Sequence, residues 1–236
     1  MTARWISCLL SGLALAVSAV EAPPNALTPS ERDQGWQLLF DGKSTAGWRG
    51  FNRPTFPDRG WVVTNDSLHL PLNGGGGDII TEQRFSNYEF AFEWKVTPGA
   101  NGGIKYFIDE QRRQPIGHEY QLLGPRSNAE ALRNLREATA SFYHVLPPST
   151  NALPRPPGDW NTSRIRIQGL QVEHWLNGER VLQYTLGSET TLAGIARSKF
   201  KDTQGFGTAF PHPLLLQDHG GGVWFRNLKL RPLPQP

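Results

Sequence analysis

The chain has 236 residues, a formal net charge of +3, one cysteine, 25 glycines and 19 prolines. That length fits a single all-β domain, and the glycine and proline content suits many tight turns better than long helices. The basic residues are scattered rather than clustered, which disfavours a nucleic-acid partner, since phosphate binding needs a concentrated basic face.

Residues 1–22 read as a signal peptide: Arg4 gives the positive start, Trp5 to Val20 is an uncharged, mostly apolar run, and cleavage is expected after Ala22. The run falls short of the ~20 apolar residues of a membrane span, so no stable membrane insertion is expected after cleavage. A periplasmic or extracellular location follows. Cys8 then leaves with the leader, and the mature chain has no disulfide, thiol nucleophile or thiolate metal site.

Residues 23–34 are polar and proline-containing and read as a linker or initial turn, with the domain proper spanning 35–232. Runs of strand character follow at Trp36–Phe40, Gly60–Leu70, Tyr88–Val96, Gly103–Asp109, His118–Leu123, Ser163–Gln168, Leu170–Leu176, Arg180–Thr185, Leu214–Gln217 and Val223–Leu230. Asn177-Gly178, between two such runs, is the strongest hairpin signal. Short strands with regular reversals predict an all-β, two-sheet antiparallel sandwich.

Alternation assigns the faces. Phe90, Phe92, Trp94, Ile165 and Ile167 are expected inward; Glu93, Lys95, Lys105, Glu119 and Gln121 are expected on one exposed concave face. Two departures stand out. Leu132 and Leu135 lie three apart among charges, predicting a short helix or ordered loop near 127–138, and the prolines of Ser149–Asp159 predict a surface loop.

Chemistry-bearing residues are dispersed. Of the six histidines, His118, His144, His174, His212 and His219 lie near strand-like or polar segments, yet none sits in a zinc-type spacing. Glu119 and Gln121, two apart on a strand, form a fork able to grip adjacent hydroxyls, and a carboxylate there can move a proton. Trp160 follows Gly158-Asp159 in a loop and is expected to be exposed, whereas most other tryptophans belong in the core. The run Gly74 to Gly77 lacks the lysine and helix of a phosphate cradle, and no Gly-x-Ser-x-Gly elbow occurs.

Several phrases, in order, resemble the 3-keto-disaccharide hydrolase family: Leu39-Phe40-Asp41-Gly42-Lys43, Glu93-Trp94-Lys95, Asn101 to Phe107, Glu119-Tyr120-Gln121, Gly158-Asp159-Trp160-Asn161, Val172 to Gly178, Gln217-Asp218-His219-Gly220 and Val223 to Asn227. The resemblance implies a concanavalin A-like jelly roll and a carbohydrate substrate already oxidised at C3. It also implies catalytic roles for Glu119, His174, His219 and Lys105, and substrate contacts for Gln121, Glu93, Lys95, Trp160 and Arg226. No cofactor is called for by any motif; a divalent cation held by histidine and carboxylate is an open alternative to Lys105 as partner of an enolate. The rival expectations are a non-catalytic carbohydrate-binding module and a glycosidase on unoxidised sugar, for which Glu93 with Glu119 is the available carboxylate pair.

Overall fold

The computed structural model describes residues 23–124, 133–149 and 153–236. Its longest strands are those with the cleanest alternation. In β6 (Tyr88–Val96), Phe90, Phe92, Trp94 and Val96 are buried, as are Ile165 and Ile167 in β9 (Asn161–Gln168), so these inward assignments hold.

Among the described residues one sheet runs β11 (Glu179–Thr185), β10 (Gln171–Leu176), β9, β6, β13 (Val223–Pro232), β4 (Ser67–Leu70) and β3 (Val62–Thr64), with β1 (Gln37–Leu38) also paired to β13. A second sheet runs β2 (Trp48–Gly50), β5 (Ile79–Thr81), β12 (Leu215–Leu216), β7 (Asn101–Tyr106) and β8 (His118–Leu123). Every pairing is antiparallel. The two sheets enclose one apolar core, whose large members include Trp94, Tyr88, Phe90, Tyr120 and Phe225. The two-sheet antiparallel sandwich is therefore the observed fold.

Turn chemistry sets the reversals. Asn177 and Gly178 take φ of 49° and 92° between Leu176 and Glu179, and Asn65 and Asp66 take 48° and 54° between Thr64 and Ser67. Both central residues of a two-residue hairpin of this kind must adopt positive φ, which asparagine, aspartate and glycine tolerate.

Residues 23–34 carry α1 (Pro29–Asp33), closed by a capping box between Thr28 and Glu31. They are docked rather than free. Asn25 and Asn227 exchange reciprocal backbone-to-side-chain bonds of 2.6 and 2.8 Å at the bulge in β13, and the Lys229 ammonium lies 2.9 Å from Glu31.

Part of the segment expected near 127–138 lies outside the described residues; its described part holds a single 3-10 turn at Leu135–Glu137. The described portion of the proline-rich loop, 153–159, is largely exposed coil. Unforeseen was α2 (Glu189–Ala196), capped by Ser188, whose following loop crosses the outer face of the five-stranded sheet.

The single concave face expected for Glu93, Lys95, Lys105, Glu119 and Gln121 does not exist. Glu93 and Lys95 alternate against the inward-facing residues of β6 and so point outward from the eight-stranded sheet. Lys105, Glu119 and Gln121 lie on the outer face of the other sheet. Strand periodicity distinguishes inside from outside, and a sandwich has two outsides.

Candidate active site

The outer face of the five-stranded sheet carries a cleft of about 750 Å³. Its floor is a cross-strand rung: β7 and β8 pair Lys105 with Glu119 and Gly103 with Gln121. Because β7 and β8 present alternate residues, His118, Tyr120 and Leu122 go to the core and Glu119 and Gln121 to the cleft.

Glu119 is almost fully buried, and burial pushes its carboxyl up to about 7 despite the opposing charges of Lys105 and Lys199. The Lys105 ammonium lies 3.9 Å from Glu119 Oε2 and donates to the Pro115 carbonyl at 3.2 Å. Gln121 donates through Nε2 to Asn101 Oδ1 at 2.8 Å, while its own Oε1 and that of Gln217 are buried without partners among the described residues. Both glutamines line the cleft, so these oxygens suit the donated hydrogen of a sugar hydroxyl. His219 is exposed at the rim.

Just outside the lining, Asp78 Oδ1 accepts from the Asp218 amide at 2.7 Å, and Asp218 Oδ2 accepts from the Gly77 amide at 2.8 Å. Burial raises the Asp78 carboxyl above its ordinary range, opposed first by Lys105. Asp78 therefore places a second carboxyl close enough to Lys105 to feel its charge.

Lys105, Glu119, Gln121 and His219 thus come together as expected. His174 does not. Its ring is fully buried between the sheets, with Nδ1 2.9 Å from the Ala140 carbonyl and Nε2 2.6 Å from the Tyr106 hydroxyl. A nitrogen facing a carbonyl must donate, so Nε2 accepts from Tyr106. Tyr106 then accepts from Tyr184 at 2.8 Å, and Tyr184 accepts from His118 Nδ1 at 2.9 Å. This chain of neutral groups is self-consistent; burial lowers His174 to about 4, opposed by the Ala140 carbonyl, and holds His118 well below the usual range. His174 is a core residue because its strand parity is that of Val172 and Leu176.

The substrate contacts expected from Glu93, Lys95, Trp160 and Arg226 are likewise corrected, because these four cluster on the opposite outer face. Arg226 Nε donates to Glu93 at 2.7 Å, and its guanidinium stacks 4.1 Å from the Trp160 ring, with the Lys95 ammonium 4.9 Å from that ring. Trp160 is half-buried under these cations. A Glu93–Glu119 pair flanking one glycosidic bond is ruled out by this placement. His144 sits 3.4 Å from Glu137, and His212 is buried against the Tyr88 hydroxyl at 3.0 Å.

Sequence reasoning missed Tyr143, Lys199, Gln217 and Asn101 as cleft residues. Asn101 and Gln217 stand in phrases already singled out, next to Gly103 and His219. Lys199 lies in the loop after α2, where no periodic pattern marks it. Among the described residues no three of His, Cys, Asp and Glu converge to hold a metal ion, and no helix is long and apolar enough to cross a membrane.

Comparison with known proteins adds a family to this geometry. The profile of the 3-keto-alpha-glucoside-1,2-lyase-like domain matches residues 35–231. The 3-keto-disaccharide hydrolase of Bacteroides thetaiotaomicron is 31% identical over 234 residues, covering 84% of this chain and 79% of that protein. A candidate glycosyl hydrolase of known structure from Parabacteroides distasonis superposes with a TM-score of 0.79 at 29% identity, over 90% of this chain and 100% of that one. A second from the same organism gives 0.67 at 22% identity, over 84% and 99%, and speaks to the fold alone.

Proposed function

The chain belongs to the 3-keto-alpha-glucoside-1,2-lyase-like domain family, and from that membership we propose that it cleaves the glycosidic bond of 3-keto-disaccharides or 3-keto-glycosides. A ketone at C3 acidifies the proton on C2. Glu119 takes that proton, and the resulting enolate expels the glycosidic oxygen from C1. Water then adds to the C1–C2 double bond. A lyase describes the first half of this sequence and a hydrolase the sum of both, so the family description and the relative's name are compatible.

The observation that carries the reading is Glu119: a carboxyl on a cleft floor, raised to about 7, with an ammonium 3.9 Å away. A general base works best with its pKa near the operating pH, and burial supplies that here. Lys105 supplies the positive charge toward which the enolate develops, in a partly dry site where such a charge acts strongly. His219 at the rim gives the leaving oxygen its proton. Asn101, Gln121 and Gln217 hold hydroxyls. A passive binding module has no use for a buried carboxylate–ammonium pair, which costs desolvation energy on folding.

Export is part of the proposal, resting on residues 1–22 as a signal peptide. The decisive experiment runs the purified protein on matched disaccharides, with and without the 3-keto group and with and without chelator. Cleavage of the oxidised sugar alone is expected, and equal cleavage of both would overturn the proposal.

A further inference from the structure

The segment after the 3-10 turn behaves as one more rung beside β8. Phe142 bridges to Tyr120, and the Tyr143 amide donates to the Glu119 carbonyl at 3.1 Å. Alternation continues across this rung: Phe142 is buried against His118, with ring centroids 4.2 Å apart, and Tyr143 emerges into the cleft. Tyr143 therefore stands on the same face as Glu119, one rung away, so that Lys105, Glu119 and Tyr143 form a row across the floor. The Lys199 ammonium, delivered by the loop after α2, rests 4.4 Å from the centre of the Tyr143 ring. The Tyr143 ring is half-buried.

We propose that Tyr143 is a further catalytic residue, whose phenol donates a hydrogen bond to the C3 oxygen of the sugar as that oxygen gains charge, with the Lys199 ammonium on its ring strengthening the donor. The inference rests on the proton-abstraction reading above. Chemically the requirement is clear: removing the C2 proton moves an electron pair onto the C3 oxygen, and an acceptor gaining charge is best met by a fixed donor in place beforehand. Lys105 is the less suitable direct donor, since its ammonium is already shared between the Pro115 carbonyl and Glu119. Burial and the nearby Glu119 and Glu137 carboxyls hold the Tyr143 phenol above its ordinary range, and a cation on the ring face works against them by favouring build-up of negative charge on the phenol oxygen. A raised carboxyl base next to a tyrosine donor is the same division of labour that enolising sites use elsewhere.

The test separates enolisation from bond cleavage. A 3-keto sugar lacking any leaving group at C1 is incubated in deuterium oxide, and exchange of its C2 proton is followed by NMR. Wild type is expected to exchange it. Tyr143→Phe, which removes one oxygen and leaves the ring packing, should slow both exchange and turnover by roughly 100-fold or more, in the range of a lost oxyanion donor, with KM little altered. Lys199→Met should slow both steps by a smaller factor. Wild-type exchange rates in Tyr143→Phe would overturn the inference while leaving the proton-abstraction reading intact. Absence of exchange in wild type that still cleaves the oxidised disaccharide would instead remove the proton-abstraction reading, and the inference with it.

Discussion

Gly103 makes room for Glu119. A Cβ placed on Gly103 would lie 2.4 Å from Glu119 Oε1 and 2.8 Å from its Cγ, so the carboxylate lies across a strand position that only a missing side chain leaves open. Gly103 is not needed for its backbone, which avoids the left-handed region. It is needed for space. The colliding atoms are the far end of a side chain, so the strand can survive the collision while the carboxylate moves.

Gly103→Ala should therefore spare the fold and damage the chemistry. A shift of about 1 Å in a reacting group can cost on the order of 100-fold in rate. We expect kcat to fall by that order with a thermal midpoint near that of wild type, read by steady-state kinetics beside a melting curve. Unchanged kcat would mean that Glu119 need not occupy this position to react.

The raised Glu119 carboxyl predicts two pH profiles of opposite sense. As the base it must be ionised, so kcat/KM should rise about tenfold per pH unit below about 7 and level off above it. Stability runs the other way. The folded state holds this proton up to about 7 whereas the unfolded chain releases it near the ordinary carboxyl value of 4.5, so the folded form binds more protons between those values and loses stability as pH rises through that window. Glu119→Gln lacks this penalty. Its melting temperature should match wild type below the window, exceed it increasingly across the window, and stay higher by a constant margin above. Its kcat should be down by roughly 100-fold or more, and a variant of near-normal turnover would remove Glu119 as the base.

The alternating pattern of β6 and β9 made the core legible, and Asn177-Gly178 located its hairpin, because both signals are local. The site was only half legible. Lys105, Glu119 and Gln121 are cross-strand neighbours on adjacent strands, and their common parity was readable. His174 and Glu93 were misplaced for a different reason. The parity of Phe90 and Phe92 sends Glu93 outward, yet nothing in one strand says which sheet it joins, so two outer faces were merged. His174 lies in a phrase rich in polar residues, and only the tertiary fold reveals that Tyr106 and Ala140 satisfy its two nitrogens in the core. Lys199 and Tyr143 reach the cleft from loops, where no period operates.

Burial of His174 leads to a prediction that separates structure from chemistry. His174→Ala takes the acceptor from the Tyr106 O–H and the donor from the Ala140 carbonyl, and opens a cavity. Each orphaned buried group costs about 1–3 kcal/mol, so a loss of several kcal/mol is expected by denaturant unfolding, beyond what surface changes produce. The folded fraction, measured at low temperature, should retain kcat within a few-fold. A stable variant with abolished turnover would return His174 to the list of catalytic groups.

The last prediction concerns the opposite face, where Arg226, Glu93, Trp160 and Lys95 meet. Arg226 bridges Glu93 at 2.7 Å and covers Trp160 at 4.1 Å, with Asn227 donating to the same carboxylate at 2.8 Å. These contacts tie the 153–160 loop to β13 and β6, and none of them faces the cleft. Arg226→Ala removes a half-buried surface ion pair worth up to about 1 kcal/mol and a cation–π contact of about 0.5–1 kcal/mol. The variant should therefore unfold slightly earlier, while KM for a 3-keto-disaccharide stays within about twofold of wild type. Trp160→Ala should behave similarly, losing packing but not affinity. A tenfold rise in KM in either variant, with the melting curve unchanged, would place a sugar on the outer face of the eight-stranded sheet and overturn its separation from the cleft.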